Sequence, residues 1–213
     1  MGGGLIDRLQ FLPFLLPAFI IGAVLHELAH AVVANALGDR TPREEGRLTL
    51  DPRAHLDPVG SIMFIVTYLF FSFPFGWARP VSTLPGSFRN PRRDMALVAI
   101  AGPLANVLIA VIVAAITARW GGSFGTTTMR VLILIIQINV VLSVFNMLPI
   151  PPLDGSRVIG AFMPRQMYRD WMSLDQYAPI IFLLMFMVFG QQVGLLVNGG
   201  AEWVMRGIAQ LVT

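Results

Sequence analysis

His26, Glu27 and His30 have the residue types and spacing of a metal hydrolase. On a helix, residues four apart lie about 40° apart around the axis, so both imidazoles face one point. Glu27 sits about 100° from His26, where its carboxylate can reach a water on a shared cation without itself ligating it. The three lie inside an apolar stretch, Phe11 to Leu37, with no other ionisable residue between Leu9 and Leu37. At membrane depth an ionisable side chain costs roughly 2.5 to 3.5 kcal/mol on insertion scales, and a bound cation offsets that cost. The competing reading is a pair of histidines satisfied by helix–helix hydrogen bonds, with Glu27 neutral. The chain has three histidines, His26, His30 and His55, and two of them fall in this motif.

A catalytic zinc takes three protein ligands and keeps one position open. The chain contains no cysteine, so the third ligand must be His, Asp or Glu. Asp154 is the leading candidate. It follows Asn146-Met147-Leu148-Pro149-Ile150-Pro151-Pro152-Leu153, where the prolines forbid a regular helix, and it precedes Gly155, which permits close backbone approach. Taken alone, Asp154-Gly155 reads equally as a turn at a helix exit.

The elements that must position these groups belong to a membrane protein. The 213 residues are 55% hydrophobic and 13% charged, with a mean hydropathy of +0.70, against roughly 25% charged in soluble domains. The pattern predicts an all-α polytopic membrane protein, residues 1–213 forming one domain. About four to six membrane helices are expected, with a short re-entrant segment and a small β-element near the site. Long helices are predicted over Phe11–Leu37, Met95–Ala118, Val131–Leu148 and from Ala178 to Phe189, with Gln191–Thr213 either spanning or lying at the interface. Strand character is read at Arg47–Leu50 and at Gly76–Val81, where Pro80 favours an edge. Met1 to Leu5 carry no positive charge, so no cleaved signal peptide is expected.

All fifteen basic residues are Arg. They are spread over loops, which argues against a nucleic-acid partner. Their placement instead decides the topology of Ser61–Phe75, an apolar segment of only about 15 residues, short for a span. If it dips in and returns, the loops at 38–60, 76–95 and 154–176 share one side and carry four, four and three arginines. Three (Arg8, Arg119, Arg130) then lie opposite. That is a positive-inside distribution, whereas full spanning gives six against eight. The re-entrant reading also brings Asp154 to the same face as His26 and His30, toward the cytoplasm of a multi-pass cell-membrane protein.

The chain resembles the site-2 proteases, intramembrane zinc metalloproteases. The resemblance rests on His26-Glu27-Leu28-Ala29-His30 and on Asn146-x-x-Pro149-x-x-Pro152-Leu153-Asp154-Gly155. It extends to Ala101-Gly102-Pro103-Leu104-Ala105-Asn106, Gly76–Val81, Gly46–Leu50 and His55–Gly60, from about Val24 to Arg157. Asp51-Pro52 stands where Asn-Pro is expected. The length points to the compact prokaryotic branch without PDZ or CBS modules. The resemblance implies one Zn2+ held by His26, His30 and Asp154, with Glu27 as general base. It places Asn146 near the substrate carbonyl or oxyanion, and makes transmembrane protein segments, unwound in the bilayer, the substrates. On their own chemistry, two further residues are candidates for supporting the site. Asn106 can hydrogen-bond a histidine ring and fix its tautomer, or act as interhelical glue. His55 fits a group behind the ligands, a gate, or a solvated loop histidine. The reading from another class is a non-catalytic membrane metal binder, a pseudoprotease or carrier. The intact Glu27 argues against the first. The absence of ionisable residues from Met95–Ala118 and Val131–Leu148 argues against the second.

Overall fold

The fold is given by a computed structural model that describes residues 4–71 and 74–212, without the Phe71 side chain. Ser72 and Phe73 in the predicted re-entrant segment, Thr213 at the end of the last one, and Met1–Gly3 lie outside the described residues. Helix α1 runs Leu5–Ala36 and includes Pro13 and Pro17 in its interior, because it starts six residues before the predicted Phe11. Neighbouring helices make such prolines tolerable at membrane depth. Gly38, at φ +112°, ends the helix: Asp39 N–H returns to Ala34 O at 3.0 Å.

After single helical turns at Thr41–Glu44 and Pro52–His55, α2 (Pro58–Phe71) descends antiparallel to α1. Phe64 stacks on Phe19 with ring centroids 4.1 Å apart, and near the tip Leu69 O accepts from Arg8 Nη1 at 2.7 Å. The chain then comes straight back. Phe75 exchanges hydrogen bonds with Thr67 Oγ1 (2.8 and 3.0 Å), Gly76 lies against Gly60 and Phe64, Ala78 bridges to Leu56, and Arg79 N–H donates to His55 O at 2.7 Å. The lengths match: fourteen helical residues descend about 21 Å, and residues 74–80, extended, climb about 23 Å. Facing glycines make the close packing possible. A Cβ on Gly60 would stand 2.1 Å from Trp77 O, and one on Gly76 would stand 2.5 Å from Gly60 O.

Three long helices complete the frame: α1, α3 (Pro91–Trp120) and α4 (Thr126–Asn146). Leu15, Ala18, Phe19 and Ala23 of α1 form a core with Phe64, Tyr68 and Leu134. Ala110 of α3 and Val140 of α4 form a second with Ala201 and Ile208. Short helices α5 (Asp154–Gly160) and α6 (Arg165–Ser173) precede α7 (Ala178–Met187) and α8 (Gly190–Val212). The last helix meets the α6–α7 run at an 86° bend. Among the described residues three helices are long and apolar enough to cross a membrane, or four if the bent pair forms one span. That is the lower end of the expected four to six, or one below it. The outer faces, such as Leu104, Leu108 and Ile112 on α3, are exposed and apolar, as lipid contact requires.

The predicted β-element needs correction. Among the described residues Arg47–Leu50 is not a strand, and Gly76–Val81 holds one isolated bridge, Leu56 to Ala78, rather than a ladder. Pro80 has no N–H to give. Arg79 N–H donates to the His55 carbonyl, Arg79 O and Pro80 O accept from Arg47, and Val81 N–H donates to Glu27.

Candidate metal centre

Helix α1 presents His26, Glu27 and His30 on its buried side, at 6, 9 and 8% exposure. The two rings stand edge to face, centroids 4.6 Å apart. Each is oriented from behind by α3. His30 Nδ1 is 2.7 Å from Val98 O, an atom that can only accept, so Nδ1 carries the proton. His26 Nδ1 is 2.6 Å from Asn106 Oδ1. The Asn106 amide is oriented by its own donations, to Gly22 O at 3.1 Å and Asn139 Oδ1 at 2.9 Å, which leaves Oδ1 to accept. In the neutral rings both Nε2 atoms therefore carry lone pairs, and both point the same way.

They point at Asp154. Its Oδ2 lies 3.1 Å from His26 Nε2 and 3.4 Å from His30 Nε2. It is buried without a hydrogen-bond donor. The ligand atoms of these three residues lie within 4.8 Å of one another. Three inward-facing lone pairs without a proton between them repel unless a cation lies among them, so the donor set fits a metal ion. The space is kept by a missing side chain: a Cβ on Gly102 would sit 2.5 Å from His30 Nε2 and 2.6 Å from His26 Nε2.

Asp154 reaches this point because α4 stops at Asn146 and the proline-rich turn redirects the chain. Ile150 N–H bonds Leu148 O and Leu153 N–H bonds Ile150 O, both at 2.8 Å. Gly155 then lies directly on this turn, where a Cβ would stand 2.2 Å from Met147 O. The exit-turn reading and the ligand reading of Asp154-Gly155 thus describe one feature: the turn is what aims the carboxylate.

Of the supporting candidates, Asn106 lies where its chemistry suggested, fully buried against His26. Asn146 is half-buried at the end of α4, and its Nδ2 donates to Leu142 O of its own helix at 2.9 Å. His55 is not a solvated loop histidine. It is fully buried, its Nε2 bonds Thr49 O at 2.8 Å, and its bonds hold the 49–55 loop and Arg79 rather than the other imidazoles. Glu27 Oε2 accepts the Val81 N–H at 3.1 Å. Sequence reasoning missed the parts played by Gly102, Asn139, the Val98 carbonyl and the Val81 amide. Gly102-Pro103 inside a long apolar helix was a visible signal; a backbone carbonyl and an amide leave none.

Comparison with known proteins identifies the family. The profile described as Peptidase family M50 matches residues 118–189, which include Asn146 and Asp154. A Bacillus subtilis protein named "Putative zinc metalloprotease YwhC" is 38% identical over 185 residues, covering 84% of this chain and 82% of that protein. Rip2 of Mycobacterium tuberculosis, named in the same way, is 28% identical over 172 residues, or 79% of this chain and 64% of the relative. Rip2 of Mycolicibacterium smegmatis is 30% identical over 151 residues, or 68% and 54%. No solved structure matches significantly. This multi-pass membrane chain belongs to peptidase family M50, the site-2 protease family, and is a zinc metalloprotease.

Proposed function

We propose that the protein is an intramembrane endopeptidase that hydrolyses peptide bonds within or next to transmembrane segments of other membrane proteins. One zinc ion is held by His26, His30 and Asp154. The convergence of three undonated lone pairs on the space beside Gly102 carries this reading. A bound zinc supplies a Lewis acid that brings the pKa of water down to about 7. The rest is done by this chain. Glu27, adjacent to a ligand on the same helix, takes a proton from the attacking water and delivers it to the departing amine. Asn106 and the Val98 carbonyl hold the imidazoles in the tautomer that leaves Nε2 free. Asn146 keeps one amide hydrogen beyond its bond to Leu142 and is the donor offered to the substrate carbonyl.

A transmembrane substrate must unwind before its carbonyls are available, and Gly76–Val81 is the extended segment beside Glu27. Arg79 N–H and O, Pro80 O and Val81 N–H are already engaged, so β-addition falls to the remaining backbone groups of this segment. The arginine distribution puts the site on the cytoplasmic side of the cell membrane. Packing supports the grouping of the loops on one face: Arg92 Nη1 reaches Met163 O at 2.6 Å and Leu84 N–H reaches Asp39 Oδ2 at 2.6 Å. Residues 1–213 act as one domain.

The test is Glu27→Gln in liposomes, with zinc measured per chain and cleavage followed on a model transmembrane substrate. Zinc equal to wild type with cleavage lost is the expected result. Undiminished cleavage would overturn the role of Glu27, and zinc-bound wild type that cleaves nothing would favour a metal binder.

A further inference from the structure

The peptide group between Pro80 and Val81 has a charged side chain at each end. Its N–H donates to Glu27 Oε2 at 3.1 Å, and its carbonyl accepts from Arg47 Nη2 at 3.3 Å. The same guanidinium reaches Arg79 O at 3.3 Å and Ala54 O through Nη1, and its Nε faces the Glu45 carboxylate at 3.6 Å. Arg47 is 2% exposed, among the largest fully buried side chains of the protein. A buried guanidinium is retained only where its donors are used, and here three go to main-chain carbonyls of two segments that otherwise lack a ladder. Asp39 anchors the chain farther on, at Leu84 N–H, and does not touch this peptide.

We infer that Arg47 is a positioning residue for Glu27, acting through the Pro80–Val81 peptide. Glu27 has three rotatable bonds, and its place on α1 alone does not fix its carboxylate. The Val81 N–H does. That amide belongs to a segment which Pro80 prevents from pairing as a regular strand, so its position depends on what grips the carbonyl side. A cation on the carbonyl oxygen also polarises the peptide and strengthens the N–H as a donor. This rests on the reading of Glu27 as the base.

The test compares wild type, Arg47→Met, Arg47→Lys, Val81→Pro and the Met/Pro double variant in liposomes, with zinc content, kcat and KM on a transmembrane substrate. Arg47→Met should keep zinc and lose about 10- to 100-fold in kcat, the scale of a base displaced by an ångström. KM should change little, and Arg47→Lys should recover part of the loss. Val81→Pro removes the N–H and should lose kcat similarly, and the double variant should be no worse than Val81→Pro alone. In the metal-stripped protein, the Val81 amide should exchange with deuterium at least about 10-fold faster in Arg47→Met. Wild-type kcat in Arg47→Met, a loss confined to KM, losses that multiply, or unchanged exchange would each overturn the inference. If Arg47→Met does not fold, Val81→Pro decides: wild-type kcat there contradicts it. Cleavage by Glu27→Gln would remove the base and this inference together. An inactive Glu27→Gln beside a wild-type Arg47→Met removes only this one.

Discussion

Two of the residues around the three ligands make the cleanest predictions, because each acts on a single atom. Gly102 holds open the space that both Nε2 atoms face. Gly102→Ala puts a methyl there and should abolish zinc binding while the chain still inserts, checked by zinc content and gel filtration of the purified protein. Asn106→Leu removes the acceptor for His26 Nδ1–H and should weaken zinc about 10- to 100-fold, measured by competition with a chelating dye. His26, Glu27 and His30 could be singled out in the sequence because ionisable groups in an apolar stretch have few explanations, and Asp154 because a proline run turns the chain just before it. Asn106 was legible as a polar residue on a long apolar helix. Of the readings open for His55, the solvated one does not hold, because its burial depends on the return segment, which local sequence does not describe.

At the scale of elements, the site's placement depends on α2 and the segment from Phe75 that runs back along it. Length and arginine placement pointed to a fold-back there, and the packing of residues 75–79 on α2 is consistent with one. The return path could not be read from the sequence, since an extended chain lying against a helix has no periodicity of its own. The expected strand failed for a related reason: Pro80 and the bonds to Arg47, His55 and Glu27 leave no ladder to form. The glycine pair makes the packing testable. Gly60→Val places side-chain atoms where Trp77 O now lies and should cost stability and cleavage together, read as a lowered Tm and lost activity. Topology has a direct check in a chain without native cysteine. Cysteines at Ser87 and Ser123 should label from opposite sides of the membrane, and labelling from one side contradicts the fold-back.

For the whole molecule, the proposed metal site joins α1 to α5, elements more than a hundred residues apart in sequence. Zinc at a thousand times its Kd adds about 4 kcal/mol of stability, so removing it should lower Tm by roughly 10 °C for a chain of this size. The overall class, membrane-embedded and helical, was legible from composition, but the number of spans was not. The sequence separates Ala178–Phe189 from the more polar Gln191–Thr213 but leaves open whether the second spans, and the 86° bend between the helices is a feature the sequence does not show. Arginine bias gave the common face of the loops, and the packing of Arg92 on Met163 and of Leu84 on Asp39 agrees with it.

The central claim is a zinc site made of two imidazoles and one carboxylate at membrane depth, and X-ray absorption at the zinc edge of the purified protein tests it most directly. The account predicts a shell of nitrogen and oxygen only, at about 2.0–2.2 Å, with two imidazoles, and a loss of zinc in Asp154→Ala. Sulfur in the shell, a single imidazole, or full zinc retained without Asp154 would contradict it.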